Sequence, residues 1–106
     1  MKMAEKIVGK VTVEEVLFER VRDGGVFVYK IVNDDDGNDI YFGDFYIATF
    51  INLNSEAVWG VGSNIESALE NAEREWDREK GDYDNPFREA LEKFKEQERK
   101  KLLYNY

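Results

Sequence analysis

The stretch Val11–Val32, VTVEEVLFERVRDGGVFVYKIV, decides the fold, because it places two apolar segments on either side of a turn signal. Val26-Phe-Val-Tyr-Lys-Ile-Val32 is β-branched and aromatic and follows Asp23-Gly24-Gly25, the composition of a strand entered from a tight turn. Residues 11–21 admit two readings. Val11, Val13 and the run Val16-Leu17-Phe18 suit a strand that pairs back across the glycines. Val13, Val16, Leu17 and Val21 also share one face of a helix, with Thr12 and Glu15 spaced as a capping box. The strand is favoured, since a hairpin is the shortest solution to a Gly-Gly turn.

Working outward, Asp34-Asp-Asp-Gly-Asn-Asp39 reads as a second turn. Residues 41–53 are again aromatic and β-branched. Phe45, Ile47, Thr49 and Ile51 alternate with Tyr46, Ala48 and Phe50, one set on each face of a strand. Residues 52–55 turn the chain, and residues 57–61 form a short strand ending at Gly62. Two helices follow. Residues 64–80 carry Ile65, Ala68, Leu69, Ala72 and Trp76 at helical spacing behind a Ser63/Glu66 capping box, and Gly81 stops them. Residues 86–102 start from an Asn85 cap with Pro86 in the first turn. Phe87, Ala90, Leu91, Phe94 and Leu102 make their apolar face, and Lys100 and Lys101 lie at the end the macrodipole favours for cations. The expected architecture is one α+β domain over residues 1–106: a small antiparallel sheet of three or four strands followed by two C-terminal helices packed on one face. Leu69 and Trp76 are expected in its core.

Charge is the chain's second message. Residues 1–31 carry a net charge of +1, residues 32–86 a net of −11, and residues 87–106 a net of +2. Such a field repels nucleic acid and anionic membrane and attracts basic protein surfaces. Cysteine and histidine are both absent, which removes disulfides, thiolate metal sites and the usual nucleophile–base pairs. No apolar run approaches a membrane span and the N-terminus has no signal-like apolar region, so a cytoplasmic protein is expected.

Four constellations carry what chemistry remains. The acidic loop Asp34, Asp35, Asp36, Asp39 fails as an EF-hand: with Gly37 at position 6, Val32 falls at position 1 and Gly43 at position 12. A hairpin turn is the better reading, although three consecutive aspartates exceed what a turn needs. Gly60-Val-Gly62 stops short of a dinucleotide fingerprint and lacks the lysine of a P-loop, so it reads as a structural turn. In the first helix Glu66, Glu70, Glu73 and Asp77 line up along one edge, with neighbours about 5–6 Å apart. That spacing is close to the separation of phosphates along a nucleic-acid strand. For this helix alone, an ordinary solvated face is the simpler account. What favours a working surface is the whole of residues 32–86, where Asp82 and Asp84 follow in the next loop, Asp34 to Asp39 lie on a turn and only three basic residues are interspersed. A row of carboxylates on an edge does not converge as Mg²⁺ requires. Finally, Tyr83 between Asp82 and Asp84 has the composition of a contact with arginine-rich partners.

Within residues 45–76, FYIATFINLNSEAVWGVGSNIESALENAEREW, Gly62 after the last strand and the helix reading Ser67-Ala-Leu-Glu-Asn-Ala72 resemble the strand–strand–helix portion of HicB-type antitoxin domains. The resemblance covers about a third of the chain and implies an antitoxin or related regulatory domain. HicB-type proteins usually also carry a DNA-binding module, which the C-terminal helix does not read as, and no functional residue is carried over. In composition the chain is also similar to phage-encoded DNA-mimic inhibitors of the anti-restriction and anti-CRISPR kind.

The leading expectation is a small, acidic, non-enzymatic protein-binding module that needs no cofactor or metal. It would inhibit by occupying the basic, nucleic-acid-binding surface of a partner protein or complex, binding neither nucleic acid nor membrane itself. Asp34, Asp35, Asp36, Asp39, Asp44, Glu66, Glu70, Glu73, Asp77, Asp82 and Asp84 supply the charge, and Tyr83 an anchor. The alternatives are the HicB-like regulatory domain and a Mg²⁺-dependent enzyme built on carboxylates. A homodimer is compatible with all three.

Overall fold

The computed structural model describes residues 11–21, 24–33, 44–52, 58–81 and 84–104. Strands β1 (Val11–Val21), β2 (Gly24–Asn33), β3 (Phe45–Asn52) and β4 (Trp59–Gly62) form one antiparallel sheet in chain order. Helices α1 (Ile65–Lys80) and α2 (Pro86–Tyr104) pack on one face of it, α1 over β4 and β3, α2 over β1 and β2. This is the expected α+β arrangement, with four strands. The turn at residues 34–39 lies outside the described residues, as do parts of the segments read as residues 41–53 and 57–61.

Residues 11–21 are a strand. β1 pairs with β2 from Val11↔Asn33 to Val21↔Gly24, and the register shifts between Glu15 and Leu17. The bulge explains why the segment also looked helical. Val16 and Leu17 are consecutive yet both pack against the core, while Phe18 stays opposite Phe27 on the other face. One extra residue in a strand does this by breaking the alternation of side chains.

On the covered face, Val26, Val28, Ala48 and Phe50 meet Ala68, Leu69, Ala72, Trp76, Phe87, Ala90 and Leu91. Leu69 and Trp76 are buried, as expected. Phe50, Trp76 and Phe87 form a triangle of edge-on rings with centroids 5.8, 6.2 and 6.5 Å apart, a favoured aromatic geometry. Gly60 and Gly62 lie under α1. A Cβ on Gly60 would collide with the backbone of Ala68 and Ala72, and one on Gly62 with Ser67 and Ala68. The Gly60-Val-Gly62 segment is therefore structural, as read, but it is the last strand under a helix rather than a turn.

The start of α1 corrects the sequence reading by one residue. Asn64, not Ser63, is the N-cap: its backbone is extended and its Oδ1 accepts from the Ser67 N–H at 2.8 Å, while Ser67 Oγ accepts from the Asn64 N–H at 3.1 Å. Asparagine caps as well as serine, and Ser67 takes the reciprocal role that Glu66 was given. That releases Glu66 to solvent. Gly81 ends α1 at a φ of 76°, as its stop role implies. At α2, Asn85 caps through Oδ1, accepting from the Phe87 N–H at 3.0 Å. Leu102 is a second correction. It is 69% exposed, because α2 leaves the sheet after Phe94 and residues 95–103 face solvent.

Candidate binding surface

The carboxylate row of α1 is divided in two by α2. Arg88, in the first turn of α2, donates from Nε to Glu73 Oε2 at 2.8 Å and from Nη2 to Asp77 Oδ2 at 3.0 Å. Asn85 adds donations from Nδ2 to the Glu73 carbonyl and to Asp77 Oδ1, both at 3.0 Å. Glu73 and Asp77 are thus joints between the helices. Their charge is opposed by a guanidinium, and their side chains are partly buried.

Glu66 and Glu70 behave differently. Neither forms an ion pair with a described residue. The basic residues of α1 are occupied elsewhere: Arg74 donates to Asn71, and Arg78 pairs with Glu75 and Glu79. The hydrogen bond and charge of Glu75 hold the Arg78 guanidinium above its ordinary pKa. Glu66 and Glu70 instead border a groove of about 440 Å³ at the open end of the cleft between the helices. Tyr46 of β3, Ile65 of α1 and Phe94 of α2 line it, and Glu98 brings a third carboxylate from α2. Glu98 is shared with the exposed Lys101, 3.2 Å away.

Three carboxylates beside two aromatic rings suit a cation with an apolar stem. A guanidinium or ammonium group can lie against Tyr46 or Phe94 while a carboxylate takes its charge. The same charge repels phosphate, despite the helix N-terminus close by.

Of the other predicted site residues, two are described, and neither lines the groove. Asp44 is exposed and stands 4.0 Å from Lys30, which neighbours Tyr46 in the sheet register. Asp84 lies in the link between the helices at a φ of 50°, at the opposite end of α1 from Glu66. Asp34, Asp35, Asp36, Asp39, Asp82 and Tyr83 lie outside the described residues. Tyr46, Phe94 and Glu98 were not singled out for a site. Phe94 and Glu98 stand one turn apart on α2, but nothing local says that this turn faces Glu66 and Glu70.

Among the described residues, no group of three or more carboxylates converges as a metal site would need, and no helix is long and apolar enough to cross a membrane. Compared with known protein families, with curated proteins and with solved structures, the chain matches none.

Proposed function

We propose that this chain is a non-enzymatic binding module that places its acidic helix face on a basic, nucleic-acid-binding surface of a partner protein, and so acts as an inhibitor. The observation that carries the reading is the groove: Glu66 and Glu70, without a described ion-pair partner, open onto a cavity with Glu98, Tyr46 and Phe94. Carboxylates left without a counter-charge repel one another across a helical turn. Beside aromatic walls they are suited to receiving arginine or lysine side chains. Long-range attraction from the −11 segment would speed the encounter, and the groove would set the register.

An immobilised oligo-arginine peptide is the probe. Its affinity is measured across a range of salt for the natural chain, for Glu66→Gln/Glu70→Gln/Glu98→Gln, and for Glu14→Gln/Glu92→Gln/Glu96→Gln. Both variants lose the same formal charge. The groove variant should bind about tenfold more weakly than the control, with a slower on-rate and a flatter salt dependence. Equal losses in the two variants would mean that the attraction is diffuse and the groove is not the site.

A further inference from the structure

The side of the sheet away from the helices is as apolar as the covered side. Val13, Phe18, Ile51, Trp59 and Val61 are each more than half exposed on it. The strand registers arrange this face in transverse rows. Phe18, Phe27, Thr49 and Trp59 form one row across all four strands. On one side of it lies the row Glu15, Tyr29, Ile47, Val61, and on the other the row Arg20, Gly25, Ile51. Strands β2, β3 and β4 place no charged residue on this face. Among the described residues the charges on this face are Glu15 and Arg20, which have opposite sign and flank the central row on β1.

We infer that this face is a self-association surface, closed by the same face of a second copy about a two-fold axis running along the Phe18–Phe27–Thr49–Trp59 row. Such an axis reverses strand direction but keeps the order of strands, so β1 lies over β1 of the second copy. The central row then meets itself. Glu15 meets Arg20 of the second copy, and Arg20 meets its Glu15, which gives two ion pairs from one pair of residues. Tyr29 faces the position of Gly25 of the second copy, where the ring of Phe18 covers the glycine, so ring meets ring, and Ile47 faces Ile51. The charges are self-complementary, and every other pairing is apolar.

The chemistry of the face argues against other occupants. A basic partner would find only Glu15, and a nucleic acid only Arg20. Among the described residues two copies meet no like-charge contact here, because the acidic helix α1 lies on the far layer of each. At about 4.8 Å between strands and about 3.3 Å per residue, the sheet presents about 500 Å² per copy. The pair buries about 1,000 Å², the size at which specific interfaces begin. Face-to-face sheets pack with strands within about 30° of alignment, which accommodates their twist. The inference stands independently of the groove, which lies on the helix side.

Sedimentation velocity of the full chain over a wide concentration range, in salt high enough to screen net charge, should show a reversible monomer–dimer equilibrium. Trp59→Asp should raise the dissociation constant at least about thirtyfold, as loss of a central aromatic anchor does. Its circular dichroism melt checks that it folds. Glu15→Arg should weaken the dimer, and adding Arg20→Glu should restore it; this arm holds even if Trp59→Asp misfolds. A chain that stays monomeric throughout would overturn the inference. Acrylamide quenching of tryptophan emission would then tell an open face from one covered by another segment of the chain. A dimer indifferent to both Trp59→Asp and the charge swap would place self-association on another surface and would equally overturn it.

Discussion

The two faces of this sheet are built from similar residues and meet opposite fates. On the covered face, Phe50 joins Trp76 and Phe87 in an edge-on triangle under two helices. On the open face, Phe18 tilts against Phe27 at 4.9 Å, and Phe27 stacks on Tyr29 at 6.0 Å. The difference is not hydrophobicity but room. Ala48, Gly60 and Gly62 make the covered face low enough for the α1 backbone to settle directly on β4. Phe27, Tyr29 and Trp59 stand up from the open face and keep a helix backbone away. An apolar sheet face recruits its own helices only where small residues let them approach.

The strongest way to break this comparison uses the two tryptophans. Trp76→Ala should cost roughly 3–5 kcal/mol in chemical denaturation, since it opens a cavity in the ring triangle. Trp59→Ala, at a dilution where the chain is monomeric, should stay within about 0.5 kcal/mol. Similar losses at both sites would mean that the faces are not distinct.

The glycines test the role of room. Gly60→Ala should cost about 1–3 kcal/mol in the same experiment, because the added methyl meets helix backbone that cannot yield without lifting α1. At Gly25 a methyl meets mainly the ring of Phe18, which is half exposed and free to swing outward. Gly25→Ala should cost under about 1 kcal/mol. A tolerated Gly60→Ala would sink the account of why α1 lies on this face.

The carboxylate row offers a smaller contrast. Glu73→Gln with Asp77→Asn removes two partly exposed pairings to Arg88 and should lower stability by about 1 kcal/mol. Glu66→Gln with Glu70→Gln removes their mutual repulsion together with the favourable contact of Glu66 with the first turn of α1, and the two offset, so stability should change by less than about 0.5 kcal/mol. Thermal melts of the two double variants, read side by side, decide this. Smallest of all, Leu102→Ser, beyond the end of the sheet, should shift stability by less than about 0.5 kcal/mol.

The sequence made much of the framework legible. Asp23-Gly24-Gly25, Gly62, Gly81 and Asn85-Pro86 mark boundaries through local backbone chemistry, which does not depend on the rest of the fold. The readings that shifted depended on distant partners. The bulge in β1 follows from the pull of the core on both Val16 and Leu17. Leu102 continues an apolar spacing on α2, but the sheet ends before it. The cap at Asn64 lies between these cases: two adjacent residues both qualify, and helix geometry selects one. The groove was the least legible part, since its carboxylates come from two helices and its rings from a strand and a helix.

Sequence alone therefore determined the order of elements, the two helices with Leu69 and Trp76 inside, and a charge excess concentrated in residues 32–86. These follow from short-range periodicity, turn chemistry and composition. Tertiary structure decided which carboxylates remain available. Arg88 lies 15 residues from Glu73 and 11 from Asp77 in sequence. It reaches both only because Asn85 fastens the start of α2 to the last turns of α1. Glu66 and Glu70, near the start of α1, lie beyond its reach. Tertiary structure also decided which apolar face was covered, because a helix backbone approaches most closely where glycine and alanine leave it space.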